Sequence, residues 1–81
     1  MLMRIANTTG ENGYKEQLFK SDKRYYRIVR TERGEWYSIY VNDSEYGEPE
    51  YDTPMYFNNR RVKECTIAEC KESIRVYEMM N

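Results

Sequence analysis

Two stretches near the middle of the chain, RYYRIVRTE (24–32) and WYSIYVND (36–43), constrain the fold more than any other feature. Both are rich in tyrosine, isoleucine and valine, residues that suit a pleated, half-buried surface. Only RGE (33–35) lies between them, which predicts a central β-hairpin over 24–43. Hydrophobic alternation then selects the register. With Thr31 opposite Trp36, Ile28 meets Ile39, Tyr26 meets Val41 and Arg30 meets Tyr37, and one face collects Tyr26, Ile28, Tyr37, Ile39 and Val41. A slip of one residue sets Ile28 against Tyr40 and Arg27 against Val41, scattering the apolar set over both faces. In the favoured register Glu32 faces Glu35, which predicts a splayed, wet tip.

The last segment reads as a helix. Thr66 followed three residues later by Glu69 is a capping box, in which each side chain bonds the other's backbone N–H. Ile67, Cys70, Ile74 and Tyr77 then recur at the period of one helix face, predicting a helix over about 67–80. A hairpin with one apolar face and a helix with one apolar stripe bury both by packing together. The expected fold class is α+β: a small antiparallel sheet of 3–4 strands packed against one C-terminal helix, in a single domain over 1–81. KEQLF (15–19) and LMRIA (2–6) are the further strand candidates, KSDK (20–23) is a turn and NTTGENG (7–13) a loop. Downstream, 42–54 reads as one long loop, MYF (55–57) as a short strand and NNRRVKE (58–64) as a basic connector.

The two cysteines, Cys65 and Cys70 of CTIAEC, flank the helix start. A structural metal site needs four ligands, usually two close pairs, and this chain has one pair and no histidine. A redox motif of the usual kind has two intervening residues, not four. With Thr66 as N-cap, Cys65 and Cys70 occupy the partner positions of a hydrophobic staple, which brings their side chains close. A staple of two thiols is the first reading and a disulfide the second; neither metal nor cofactor is expected.

An 81-residue domain buries only about 60% of the surface of its unfolded chain, so partner binding or a homodimer is an expected source of added stability. No apolar run approaches the ~18 residues of a membrane span. The start, MLMRIANTTGENG, lacks the apolar core of a secretory signal, and a cytoplasmic location follows as the expectation. The net charge is only −1, yet the charge is segregated. Residues 1–34 hold eight Lys/Arg against four Asp/Glu, whereas 35–57 hold six Asp/Glu and no Lys/Arg.

That acidic middle is the leading candidate site. In DSEYGEPEYD (43–52), Asp43, Glu45, Glu48, Glu50 and Asp52 alternate with Tyr46 and Tyr51. The spacing lacks the ligand pattern of a calcium loop. It does suit a surface that offers phosphate-like charge, anchored by tyrosine, to a basic protein. The plain alternative is a solvated loop. Trp36 and Tyr40 are further anchors. A second candidate is the other hairpin face, where Tyr25, Arg27, Trp36 and Tyr40 mix aromatic rings with a cation as single-stranded nucleic-acid binders do. Arg60, Arg61 and Lys63 add charge before the helix N-terminus. The plain alternative there is a face covered by the N-terminal segment or by a second copy of the chain.

Catalysis is not expected. The chain has no histidine-based nucleophile pair, no phosphate-binding glycine loop and no H-E-x-x-H motif. In size, acidic patch and tyrosine content it resembles phage and mobile-element proteins that block host defence enzymes, the anti-CRISPR-like inhibitors. The resemblance is one of composition and carries no residue assignment. The expected function is a non-catalytic inhibitor that docks on a basic, nucleic-acid-handling protein. A small nucleic-acid-binding module is the alternative.

Overall fold

The computed structural model describes residues 2–9, 15–30, 37–57, 59–63 and 65–80. Five strands form one antiparallel sheet in the order β1 (Met3–Thr9), β2 (Lys15–Lys20), β3 (Tyr25–Arg30), β4 (Tyr37–Asn42) and β5 (Thr53–Pro54). Among the described residues one α-helix, α1 (Ile67–Met80), lies on one face, so the fold is α+β. None of the described helices is long and apolar enough to cross a membrane.

The hairpin has the register that hydrophobic alternation selects. Tyr26 pairs with Val41, Ile28 with Ile39 and Arg30 with Tyr37. Tyr26, Ile28, Ile39 and Val41 are buried, and with Phe19, Met55, Cys70 and Ile74 they form the core. Removing an aliphatic side chain of this kind from water stabilises by about 1.5–3 kcal/mol. The turn 31–36, with the Glu32–Glu35 pair and Trp36, lies outside the described residues.

Helix α1 starts where its capping box places it. The Thr66 N–H donates to Glu69 Oε1 at 2.9 Å, and the Glu69 N–H donates to Thr66 Oγ1 at 3.2 Å. Its inward face is the predicted one, with Cys70 and Ile74 buried and Ile67 and Tyr77 packed at the margin. The Tyr77 ring meets Tyr26 and Phe57 edge-on, at centroid distances of 6.1 and 5.8 Å. Glu78 sits in the last turn, where the helix dipole disfavours an anion. The Tyr26 hydroxyl donates to Glu78, and Arg24 Nη1 lies 3.7 Å from it, which offsets that penalty. Burial and the Glu78 carboxylate together push the Tyr26 phenol well above its ordinary range.

The strand count and three segments depart from the sequence reading. The sheet has five strands rather than three or four. Asn7 and the two threonines after it belong to β1 instead of a loop, because β2 gives their backbone a ladder partner as far as Lys15. The 42–54 stretch is not one loop: Asn42 ends β4, Pro49–Tyr51 forms a 3₁₀ turn, and Thr53–Pro54 is β5, paired with Val41 and Tyr40. The basic connector contains β7 (Arg60–Arg61), which pairs with β6 (Tyr56–Phe57).

These two short strands form a side hairpin that interrupts the edge beside β4. Met55 N–H donates to the Ile39 carbonyl at 3.0 Å, and Val62 N–H closes the hairpin base on the Met55 carbonyl at 2.8 Å. Cys65 then resumes pairing with Tyr37. One flank of β4 is thus covered by two separate pieces of chain, which bring Cys65 and α1 under the sheet.

Candidate functional site

The acidic segment 43–52 is built around one side chain that the sequence reading did not single out. Asn42 is almost fully buried at the end of β4. Its Oδ1 accepts from the Ser44 N–H at 2.9 Å and also from the Ser44 hydroxyl. Its Nδ2 donates to the Glu48 carbonyl at 2.7 Å and to Asp52 Oδ1 at 2.8 Å. One amide therefore ties together the start, middle and end of the loop. The signal was present in Asn42 and Ser44, since asparagine bonds the backbone two residues on in an Asx turn.

Gly47 supplies the turn. Its φ of +69° lies in the left-handed region, and a Cβ there would stand 2.8 Å from Tyr25 Cγ. The loop therefore lies against the Tyr25 ring.

Two arginines clamp its ends. Arg24 Nε is 3.2 Å from Asp43, and the guanidinium also lies over the Tyr77 ring at 5.3 Å. Arg27, in β3, bonds Asp52 through Nη1, and its Nε is 3.9 Å from Glu16. The Arg27–Asp52 pair is well sheltered, with only 12% and 14% of the two side chains exposed. Glu48 turns onto the loop itself. The Ser44 side chain and nearby backbone N–H groups hold its carboxyl below the ordinary carboxylate value.

The predicted docking residues thus divide. Asp43, Glu48 and Asp52 have partners within the molecule. Glu45, Tyr46, Glu50 and Tyr51 are exposed, Tyr46 by 74% and Tyr51 by 58%. Two carboxylates and two tyrosine rings stand on a platform whose backbone is held from below. Tyr40 lies apart from them on the sheet. Its hydroxyl accepts from Arg61 Nη2 at 2.9 Å, and the guanidinium lies 5.6 Å from its ring centroid.

The second predicted surface is the outer hairpin face. Tyr25, Arg27 and Tyr40 do share it, but each is half-buried. The acidic loop, not the N-terminal segment, lies on this face, with Gly47 against Tyr25 and Asp52 on Arg27. The N-terminal segment is instead the edge strand β1. Arg60, Arg61 and Lys63 are exposed on and after β7. Arg61 reaches Tyr40, whereas Arg27 is occupied by Asp52 and Glu16.

Both cysteines are thiols, Cys70 fully buried and Cys65 packed against the same core. Among the described residues, no three of His, Cys, Asp and Glu converge as a metal-ligand set. Comparison of the chain with protein-family models, with curated proteins and with solved structures finds no significant match to any of them.

Proposed function

We propose that the chain is a non-catalytic binding protein that docks its acidic loop on a basic, nucleic-acid-handling protein and excludes the nucleic acid by charge and occupancy. An anti-CRISPR-like inhibitor would act in this way. The observation that carries the reading is the clamped platform: Arg24, Arg27 and Asn42 hold the loop from inside, while Glu45, Tyr46, Glu50 and Tyr51 face outward. A loop ordered before binding loses less entropy on docking. Exposed tyrosine is a residue type that dominates interface energetics, and carboxylates complement a surface evolved for phosphate.

The test uses purified RNA-guided nucleases and measures retention of labelled target DNA as the chain is added. Inhibition that weakens steeply between low and physiological salt is expected. Glu45→Gln, Tyr46→Ala, Glu50→Gln and Tyr51→Ala combined should abolish it with the thermal midpoint preserved. Asp52 is left intact, because removing it also frees Arg27 and unties the loop. Equal inhibition by the combined variant removes the loop from the mechanism.

The basic side hairpin favours a second reading, as a nucleic-acid-binding module. Tyr56 is exposed beside Arg60 and Arg61, and Arg61 stacks on Tyr40. Aromatic rings interleaved with cations suit single-stranded nucleic acid. A low-salt mobility shift with single-stranded DNA and RNA tests it, and no retardation at high protein concentration ends it.

A further inference from the structure

We propose that Cys65 and Cys70 form a dithiol modification site that takes a small disulfide of the glutathione class and closes to an intramolecular disulfide across the start of α1. The site is independent of the acidic loop.

The backbone holds both residues in place. Cys65 exchanges two main-chain hydrogen bonds with Tyr37, its N–H to the Tyr37 carbonyl at 3.1 Å and its carbonyl to the Tyr37 N–H at 2.9 Å. The Cys70 N–H donates to the Thr66 carbonyl at 2.9 Å, inside the capped first turn. The two residues therefore stand one before and one after the cap, at the positions whose side chains meet in a hydrophobic staple. Both side chains enter the same apolar cluster, and their thiols interact directly. The Cys65 thiol also reaches the Lys63 carbonyl at 3.3 Å on the exposed side, so it is open to a reagent, whereas Cys70 is not. Burial pushes the Cys70 thiol up to about 12, which keeps it protonated at neutral pH. These differences assign the order of attack.

In the first step the Cys65 thiolate attacks one sulfur of oxidised glutathione. The glutathione S–S bond breaks, a Cys65–glutathione mixed disulfide forms, and one glutathione leaves as thiolate and takes up a proton. In the second step the sulfur of Cys70 attacks Cys65 Sγ while its proton passes to the departing glutathione sulfur. The mixed disulfide breaks, the Cys65–Cys70 bond forms, and the second glutathione leaves. Two protein thiols are oxidised and one small disulfide is reduced to two thiols. The product is a six-residue ring that ties the helix start to the backbone bridge between Cys65 and Tyr37.

The test equilibrates the full chain in glutathione redox buffers, traps thiols with N-ethylmaleimide and reads intact mass and peptide maps. The expected product is monomeric, lacks both alkylation sites and carries a 65–70 cross-link. It should melt about 10 °C above the dithiol form, from the chain entropy a ring this small removes. Cys70→Ala should stop at a lasting glutathione adduct, and Cys65→Ala should take up none. The proposal fails if the unaltered chain keeps two alkylatable thiols at every ratio, stops at the mixed disulfide, or links into dimers. A Cys65→Ala chain that is glutathionylated as fast as the unaltered one overturns the order of attack.

Discussion

The two faces of the central hairpin come from the same twelve residues of β3 and β4, and they are closed in different ways. The inner face carries Tyr26, Ile28, Ile39 and Val41, and it is sealed by side chains from β2, the edge segment and α1. The outer face carries Tyr25, Arg27, Val29, Ser38 and Tyr40, and it is partly covered by the polar segment that follows β4. Burial of apolar area closes the first. Hydrogen bonds to one asparagine and ion pairs to two arginines organise the second. The inner face should therefore hold most of the folding free energy, and the outer face should hold the shape of the loop.

The sharpest way to break this contrast is a pair of neighbouring truncations. Ile28→Ala empties a fully buried site and should cost about 3–4 kcal/mol. Val29→Ala, half-buried on the outer face, should cost about 1 kcal/mol or less. Urea midpoints decide it. Equal losses would mean that the loop seals the outer face as tightly as the helix seals the inner one.

Next in size is Asn42→Ala. It removes the acceptor of the two Ser44 bonds and the donor to Glu48 and Asp52, with an expected cost of about 2–3 kcal/mol. Hydrogen exchange should quicken through 43–52 and stay slow at Ile28 and Ile39. If the loop amides keep their protection, the clamping arginines suffice and the amide is not the hub.

The same contrast explains what could be read in advance. The inner face and α1 were legible because their signals are local and periodic. Alternation in 24–43 allows one register that keeps the apolar residues together. Thr66, Glu69, Cys70 and Ile74 mark the helix start and its buried face within nine residues. The loop was legible only as charge. Nothing periodic shows that Asp52 returns to Arg27, twenty-five positions earlier, or that Arg24 takes Asp43. The division of the site into Asp43, Glu48 and Asp52, which have partners within the molecule, and outward Glu45, Tyr46, Glu50 and Tyr51 depends on those returns. The interrupted edge beside β4 was hidden for a related reason. Residues 53–55, Val62 and Cys65 pair through backbone groups, which carry no side-chain signature, and the segment between Met55 and Val62 is largely polar.

Gly47 gives a smaller effect that separates two causes. Gly47→Ala places a Cβ at a φ of +69° and 2.8 Å from Tyr25 Cγ. The expected loss is about 1–2 kcal/mol, of which the left-handed backbone accounts for roughly 1 kcal/mol. Repeating the substitution in a Tyr25→Ala background removes the ring and should leave only the backbone part. An unchanged penalty would mean that the loop does not rest on Tyr25, and the outer face would be more open than described.

The smallest effect is a pH dependence with one source on each side of the comparison. Glu69, at the helix start, is held below the ordinary carboxylate value of 4.5 first by the Thr66 backbone N–H and then by its side chain. Glu48, in the loop, is held below the same value first by the Ser44 side chain. A carboxyl lowered by folding adds stability that is fully present above its unfolded value and is lost as pH falls through its folded one. Both contributions should therefore fade below about pH 4.5, and both are small because the groups lie at the surface. Carbon-detected titration of the glutamate carboxyls reads each separately. Thr66→Ala keeps the backbone N–H and removes only the side-chain part of the hold, so it should raise Glu69 part of the way, leave Glu48 low, and cost about 1 kcal/mol at neutral pH through the lost cap. Ser44→Ala should do the converse, raising Glu48 and sparing Glu69. Cross-effects between the two would show that loop and helix form one coupled unit, and the link would then run through Arg24, which touches both Asp43 and Glu78.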